Sequence, residues 1–150
     1  MIYNHLLLRA KLSGRASRCQ REGRGFESLC PLQIEKLNNM EELHNKKCIS
    51  CDGNTVPFDI SEIHKYVKKV DGWDVKKNKD ENFYLIKNFN FKNFLDSQEF
   101  IKKIGKIAEE EGHHPDINFG WGYAKIKVYT HAIKGLSESD FILAAKIDKI

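Results

Sequence analysis

Apolar residues recur along the second half of the chain at two spacings, which predict helices and strands. Between residues 59 and 70 the apolar side chains fall one helical turn apart at Ile63, Val67 and Val70. Asp59 and Glu62 have the spacing of a capping box, so we expect a helix to begin at this point. The glycine of Asp71-Gly72 is a natural terminator for it. A first helix is therefore predicted between Asp59 and Val70.

Two short strands and a long helix are predicted next. Residues 73–76 and 82–89 have strand character and are separated by a polar turn over 77–80, which predicts a hairpin. Residues 91–111 then carry apolar positions at helical spacing, with Gly112 as a natural C-cap. The apolar band of this second helix is broad, and we expect it to serve the core, a subunit interface, or both.

The last third repeats the pattern of strand, strand and helix. Strands are predicted over 116–121 and 124–131, since the second alternates Ile126 and Val128 with lysines. A third helix should begin near Ser137, with Asp140 three residues on at capping-box spacing. The order α-β-β-α-β-β-α predicts an α+β fold, in which a four-stranded antiparallel sheet carries three helices on one face.

Composition divides the chain near Met40. Residues 1–39 hold five Arg, two Lys and three Glu, a net charge of +4, whereas residues 40–150 hold 18 Lys and 18 acidic residues. We interpret 1–39 as a non-native or disordered extension that resembles the accidental translation of a structural-RNA gene, and 40–150 as the domain. Two alternatives remain open for 1–39, a transit peptide for organelle import and a basic tail that binds an anionic partner.

Charge and hydropathy exclude several classes of function for the domain. Its balanced charge offers no basic footprint for a nucleic acid. No apolar run reaches the ~20 residues that span a bilayer, and Leu6-Leu7-Leu8 is too short for the core of a signal peptide. We therefore expect a cytoplasmic protein without a membrane or nucleic-acid partner.

Cys48 and Cys51 form a single CxxC pair. A structural zinc site needs four ligands, and no second pair follows at zinc-finger spacing. We favour spare thiols for these cysteines, while a redox or metal role stays open.

Three histidines are the strongest candidates for chemistry. If the second hairpin turns near residues 122–124, His131 faces about residue 116 and lies close to His114, with His113 beside it. Asp140 follows shortly after His131, and Glu109 precedes His113 by one helical turn. Imidazoles with neighbouring carboxylates suit proton transfer near neutral pH. Three histidines could equally bind zinc with one open position, and spacing alone does not separate these readings.

These residues carry a resemblance to a known family. The stretch Glu109–Asp140, "EEEGHHPDINFGWGYAKIKVYTHAIKGLSESD", resembles the signature of the pterin-4a-carbinolamine dehydratases. The segments "KKCISCDG", "DGWDV" and "FNFKNF" extend the similarity over about residues 46–150. One departure is Gly112, where family members often carry a polar residue before the histidine pair.

The resemblance implies that a hydroxylated tetrahydropterin loses water to give the quinonoid dihydropterin, which recycles the cofactor of aromatic amino acid hydroxylases. It implies proton transfer by His113 and His131 and orientation of the pterin by His114. Glu109 and Asp140 would tune the imidazoles or hold the pterin, and Trp73 would line the pocket. It implies no metal and no cofactor beyond the pterin substrate, and assembly as a homodimer or homotetramer. The alternative function is a protein-binding module that acts as a dimerisation cofactor for a transcription factor.

Overall fold

The computed structural model describes residues 43–49 and 55–150 of the 150-residue chain. The elements follow the predicted order and confirm the α+β class. They are α1 (Ile60–Val67), β1 (Asp74–Lys77), β2 (Phe83–Asn90), α2 (Phe94–Glu111), β3 (Asp116–Gly120), β4 (Tyr123–Val128), a 3-10 turn (His131–Ile133) and α3 (Glu138–Ile147). The segment 1–39 and Cys51 lie outside the described residues. No helix in the described part of the chain is long and apolar enough to cross a membrane.

The four strands form one antiparallel sheet in the order β1-β2-β4-β3. Because strand side chains alternate, one face is apolar and packs against the helices. Its central core residues are Leu85, Ala124, Ile126 and Val128. The opposite face, here called the outer face, carries a different set. These side chains are Tyr84, Ile86, Asn88, Asp116, Asn118, Lys125 and Lys127.

Local capping residues fix the helix ends. Asp59 and Glu62 form the predicted capping box of α1. α2 begins three residues later than predicted, because the side chain of Asn93 accepts a hydrogen bond from the backbone N–H of Asp96 and caps the helix. It ends as predicted at Gly112, whose φ of 63° lies in the left-handed region that favours glycine.

The second hairpin differs from its prediction in register and length. Trp121 and Gly122 form a two-residue turn, so Asp116 pairs with Lys127 rather than with His131. The predicted register was therefore wrong by four positions. β4 ends at Val128, since the chain then turns sharply and the backbones of Thr130 and Gly135 pair with each other. His131 lies in this turn and not in the strand.

Candidate functional site

The three histidines lie at one end of the β3–β4 pair, just outside the strands, and they differ sharply in burial. His113 points to the helix side, where its side chain is only 5% exposed. His114 and His131 have side chains that are 60% and 59% exposed. Each of the three imidazoles has a carboxylate of its own: the predicted Asp140 and Glu109 for His113 and His114, and Asp116, which was not predicted, for His131.

The first pair is buried and highly connected. The Nε2 atom of His113 lies 2.7 Å from Oδ1 of Asp140, which is fully buried. The other carboxylate oxygen accepts hydrogen bonds from the hydroxyl of Thr130 at 2.9 Å and from the backbone N–H of Ser137 at 2.7 Å. The hydrogen bonds from Thr130 and Ser137 all go to Oδ2, which leaves Oδ1 facing the imidazole of His113. Asp140 thus joins the end of β4, the start of α3 and the histidine pair.

The second pair lies at the surface. Nε2 of His114 is 3.1 Å from Oε1 of Glu109, in the last turn of α2. Pro115 disfavours helical backbone at His114, so the chain leaves α2 in an extended form that points this imidazole outward. Glu109 is itself 80% exposed, and the pair is therefore open to water and to a ligand.

The third pair was not predicted. Nε2 of His131 lies 3.7 Å from Oδ1 of Asp116, and the ring centroids of His131 and Tyr129 are 4.2 Å apart. The second oxygen of Asp116 accepts a hydrogen bond from Nζ of Lys127 at 3.1 Å. Sequence reasoning missed Asp116, Tyr129 and Lys127 as parts of the site. The signal was the period of two at residues 127, 129 and 131, which begins in β4 and continues into the segment that follows it.

A shallow cleft of about 450 Å³ opens on the outer face beside this third pair. The cleft is lined by Asn78, Tyr84, Ile86, Asp116, Ile117, Asn118, Lys125 and Lys127. Asp116 therefore belongs both to the cleft and to the surroundings of His131.

Trp73 is not brought together with the histidines. It is 5% exposed and lies on β1's side of the core, where its Nε1 donates a hydrogen bond to Asp148 at 3.0 Å. β1 and β3 are the two edge strands of the sheet. At the usual spacing between neighbouring strands, about 14 Å separates them. These contacts give Trp73 a place in the core, where it holds the last helix against the sheet.

Cys48 is half-buried, and its surroundings disfavour a reactive thiolate. Burial and the neighbouring Glu111 raise the pKa of its thiol to about 12, so the thiolate is scarce near neutral pH. Burial alone would raise the pKa of Glu111, but hydrogen bonds from Lys146 and from the backbone N–H of Cys48 lower it. Within 43–49 and 55–150, no three His, Cys, Asp or Glu side chains are grouped so that they could hold a metal ion.

Comparison with known proteins supplies the family. Residues 56–150 match the family model described as pterin 4 alpha carbinolamine dehydratase. A protein of Rubrobacter xylanophilus, named provisionally as a pterin-4-alpha-carbinolamine dehydratase, is 44% identical over 111 residues, which are 74% of this chain and 100% of that protein. A protein of Alkaliphilus metalliredigens with the same provisional name is 44% identical over 114 residues, 75% of this chain and 96% of its own length.

A solved structure shares the fold. The crystal structure of a transcriptional coactivator/pterin dehydratase from Brucella melitensis superposes with a TM-score of 0.56 at 25% identity, and covers 62% of this chain and 96% of that one. The family model alone spans more than half of the chain and includes all three histidine and carboxylate pairs. The chain therefore belongs to the pterin-4a-carbinolamine dehydratase family.

Proposed function

We propose that the protein removes water from 4a-hydroxytetrahydropterin, with His114 and His131 as the proton-transfer groups. The observation that carries this proposal is the pair of exposed imidazoles, each beside a carboxylate, at one end of a sheet whose buried His113–Asp140 pair anchors them. The reaction as proposed needs no metal and no cofactor, because the substrate is itself the pterin.

The chemistry requires two proton movements. One imidazolium gives its proton to the hydroxyl on C4a, and the C–O bond breaks to release water. A neutral imidazole takes the proton from ring nitrogen N5, and the electron pair of that N–H bond forms the N5–C4a double bond of the quinonoid product. Histidine suits both roles since its charged and neutral forms coexist near neutral pH. After one turnover the two imidazoles have exchanged protonation states, and their exposure to water allows them to return.

Burial leads us to divide the roles differently from the family resemblance. A group that transfers protons to a ligand must reach that ligand, and the side chain of His113 is 5% exposed, with Nε2 held by Asp140. We propose that His113 is a positioning residue that fixes the backbone from which His114 projects. Glu109 and Asp116 would then orient the two exposed rings.

Glutamine substitutions separate these roles, because glutamine keeps a hydrogen bond but does not titrate near neutral pH. We expect His114→Gln and His131→Gln to lose about 10²–10⁴ in kcat/KM, the usual contribution of a positioned acid or base. His113→Gln should retain activity within about tenfold, since its amide can still donate to Asp140. His64→Gln is the matched control, as His64 is exposed on α1, away from the three pairs. Water loss from synthetic 4a-hydroxytetrahydropterin, followed by ultraviolet absorbance, measures each rate.

Two results would count against the proposal in different ways. Wild-type protein that shows only the spontaneous rate would refute the dehydratase function. Wild-type activity that survives both exposed-histidine substitutions would leave the function standing and refute the assignment of residues. If His113→Gln lowers kcat/KM as much as the other two substitutions, His113 would regain the proton-transfer role that the family resemblance implies.

A second candidate function is protein binding, which an exposed apolar surface supports. Five large apolar side chains surround the tip of the second hairpin and the start of α2: Phe94, Leu95, Phe119, Trp121 and Tyr123. The rings of Phe94 and Phe119 stack with centroids 5.8 Å apart, so the patch is continuous across the two elements. We propose that this surface joins copies of the chain into a homodimer or homotetramer. The Brucella structure is also named a transcriptional coactivator, and the same surface would serve a different protein partner.

Sedimentation tests self-association directly. Wild-type protein is expected to sediment above monomer mass, and Trp121→Ser, which removes the most exposed ring of the patch, should shift it toward the monomer. A wild-type monomer at micromolar concentration would contradict the homo-oligomer and favour a different partner.

A further inference from the structure

We propose that the cleft on the outer face holds the side chain at C6 of the pterin and favours substrates whose side chain ends in an anionic group. This inference rests on the proposed function, because it takes the exposed histidines to be where the pterin ring reacts. It goes further by assigning a substrate class to the surface that extends from Asp116 away from His131.

The chemistry of the ring places its C6 side chain next to the reacting atoms. C6 is bonded directly to N5, the nitrogen that loses a proton. The first atom of a side chain at C6 is therefore two bonds from N5 and lies next to the imidazole that receives that proton. We take His131 to be the imidazole that receives the N5 proton. The cleft begins at Asp116, 3.7 Å from His131, so it starts where such a side chain emerges.

The positive charges of the cleft differ in how they are compensated. Nζ of Lys127 is bonded to Asp116 at 3.1 Å and lies 4.9 Å and 4.3 Å from the ring centroids of Tyr84 and Tyr129. Lys125 is exposed and has asparagines on both neighbouring strands, at Asn88 and Asn118. Among the described residues no acidic side chain forms a salt bridge with Lys125. The cleft therefore keeps one uncompensated positive charge at its far end.

The floor between these charges suits a short apolar spacer. Ile86 is 6% exposed although it lies on the outer face, and the ring of Tyr84 lines the cleft beside it. Two residues along a strand span about 7 Å, which is the distance from the Lys127 position to the Lys125 position. A linear side chain of about three to five atoms covers this distance. A carboxylate or a phosphate at its end would then meet Lys125 and the amide of Asn118.

Binding of unreactive, fully oxidised pterins tests the inference without any need for turnover. Three probes would be compared by quenching of pterin fluorescence: pterins with a methyl group, a carboxypropyl group and a phosphopropyl group at C6. Wild-type protein should bind the two anionic probes about three- to tenfold more tightly than the methyl probe at low salt, and the preference should shrink as salt screens the exposed lysine. Lys125→Gln should remove most of the preference. Lys103→Gln, an exposed lysine on α2, is the matched control and should retain it.

The outcomes distinguish this inference from the proposed function. If wild-type protein binds all three probes equally, or if Lys125→Gln keeps the full preference, the anionic subsite is refuted while the dehydratase proposal stands. If none of the pterins binds, the proposed function fails and the subsite fails with it. Tighter binding of only one anionic probe would support the subsite and identify its ligand as a carboxylate or as a phosphate ester.

Discussion

Asp140 is the residue whose loss should damage the protein most. Its carboxylate is fully buried and joins Nε2 of His113, the hydroxyl of Thr130, and the backbone N–H and hydroxyl of Ser137. Asp140→Ala removes the acceptor from all of them and leaves polar groups in a site that water does not reach. A buried donor that loses its acceptor costs about 1–3 kcal/mol, so the several donors around Asp140 place the loss at about 3–5 kcal/mol.

Urea unfolding measures this loss. With a slope of about 2 kcal/mol per molar urea for a small domain, a loss of about 4 kcal/mol lowers the unfolding midpoint by about 2 M. Asp140→Asn keeps the shape and one acceptor oxygen, so we expect a smaller loss of about 1–2 kcal/mol. Asp74→Ala, which removes an exposed carboxylate from β1, is the control and should leave the midpoint where it is. A loss below about 1 kcal/mol for Asp140→Ala would refute the view that this network holds the site together.

Three further predictions concern stability. Asp148→Ala should cost about 3 kcal/mol in thermal unfolding, because its carboxylate is 3% exposed and accepts from Lys87 at 2.7 Å; a loss under about 1 kcal/mol would contradict this. Gly105→Ala should stabilise the protein by about 1 kcal/mol, because Gly105 is mid-helix and a Cβ there would meet open space. Gly112→Ala should destabilise it by about as much, because Gly112 has a φ of +63°. Equal effects of the two substitutions on urea unfolding would contradict this conformational argument. The folded protein lowers the pKa of Glu111, which contributes stability that is complete above its usual value of 4.5 and is lost as pH falls through the folded pKa. Glu111→Gln should therefore weaken the dependence of the free energy of unfolding on pH in the acid range. An unchanged pH dependence would contradict this.

Local signals predicted the elements well. Asp59 with Glu62 and Ser137 with Asp140 each satisfy backbone groups within one turn, so their spacing alone fixes where α1 and α3 begin. Gly112 likewise marks the end of α2 because few other residues adopt its backbone conformation. Such signals act over three or four residues, and a single sequence displays them directly.

Pairing between strands was predicted less well. The length of the Trp121-Gly122 turn decides the register, and an error in the turn moved the partner of Asp116 from Lys127 to His131. The core position of Trp73 could not be predicted for a related reason, since its hydrogen bond to Asp148 joins residues 75 positions apart and leaves no local pattern. Spacing and the family resemblance both indicated the histidines, but neither indicated Asp116, whose role depends on which face of β3 it occupies.

The three histidine and carboxylate pairs differ in burial, since the His113 pair is buried whereas the His114 and His131 pairs are exposed. A buried imidazole beside a buried carboxylate is costly to desolvate, and the four donors around Asp140 offset that cost while they fix the backbone at His113. An adjacent residue in extended backbone points to the opposite face, so fixing His113 also fixes the direction of His114. The network reaches His131 in the same way, because Thr130 bonds to Asp140 and its neighbour faces outward. The buried His113–Asp140 network therefore fixes the backbone next to both exposed imidazoles, and in the proposed reaction it would position the groups that donate one proton and remove the other.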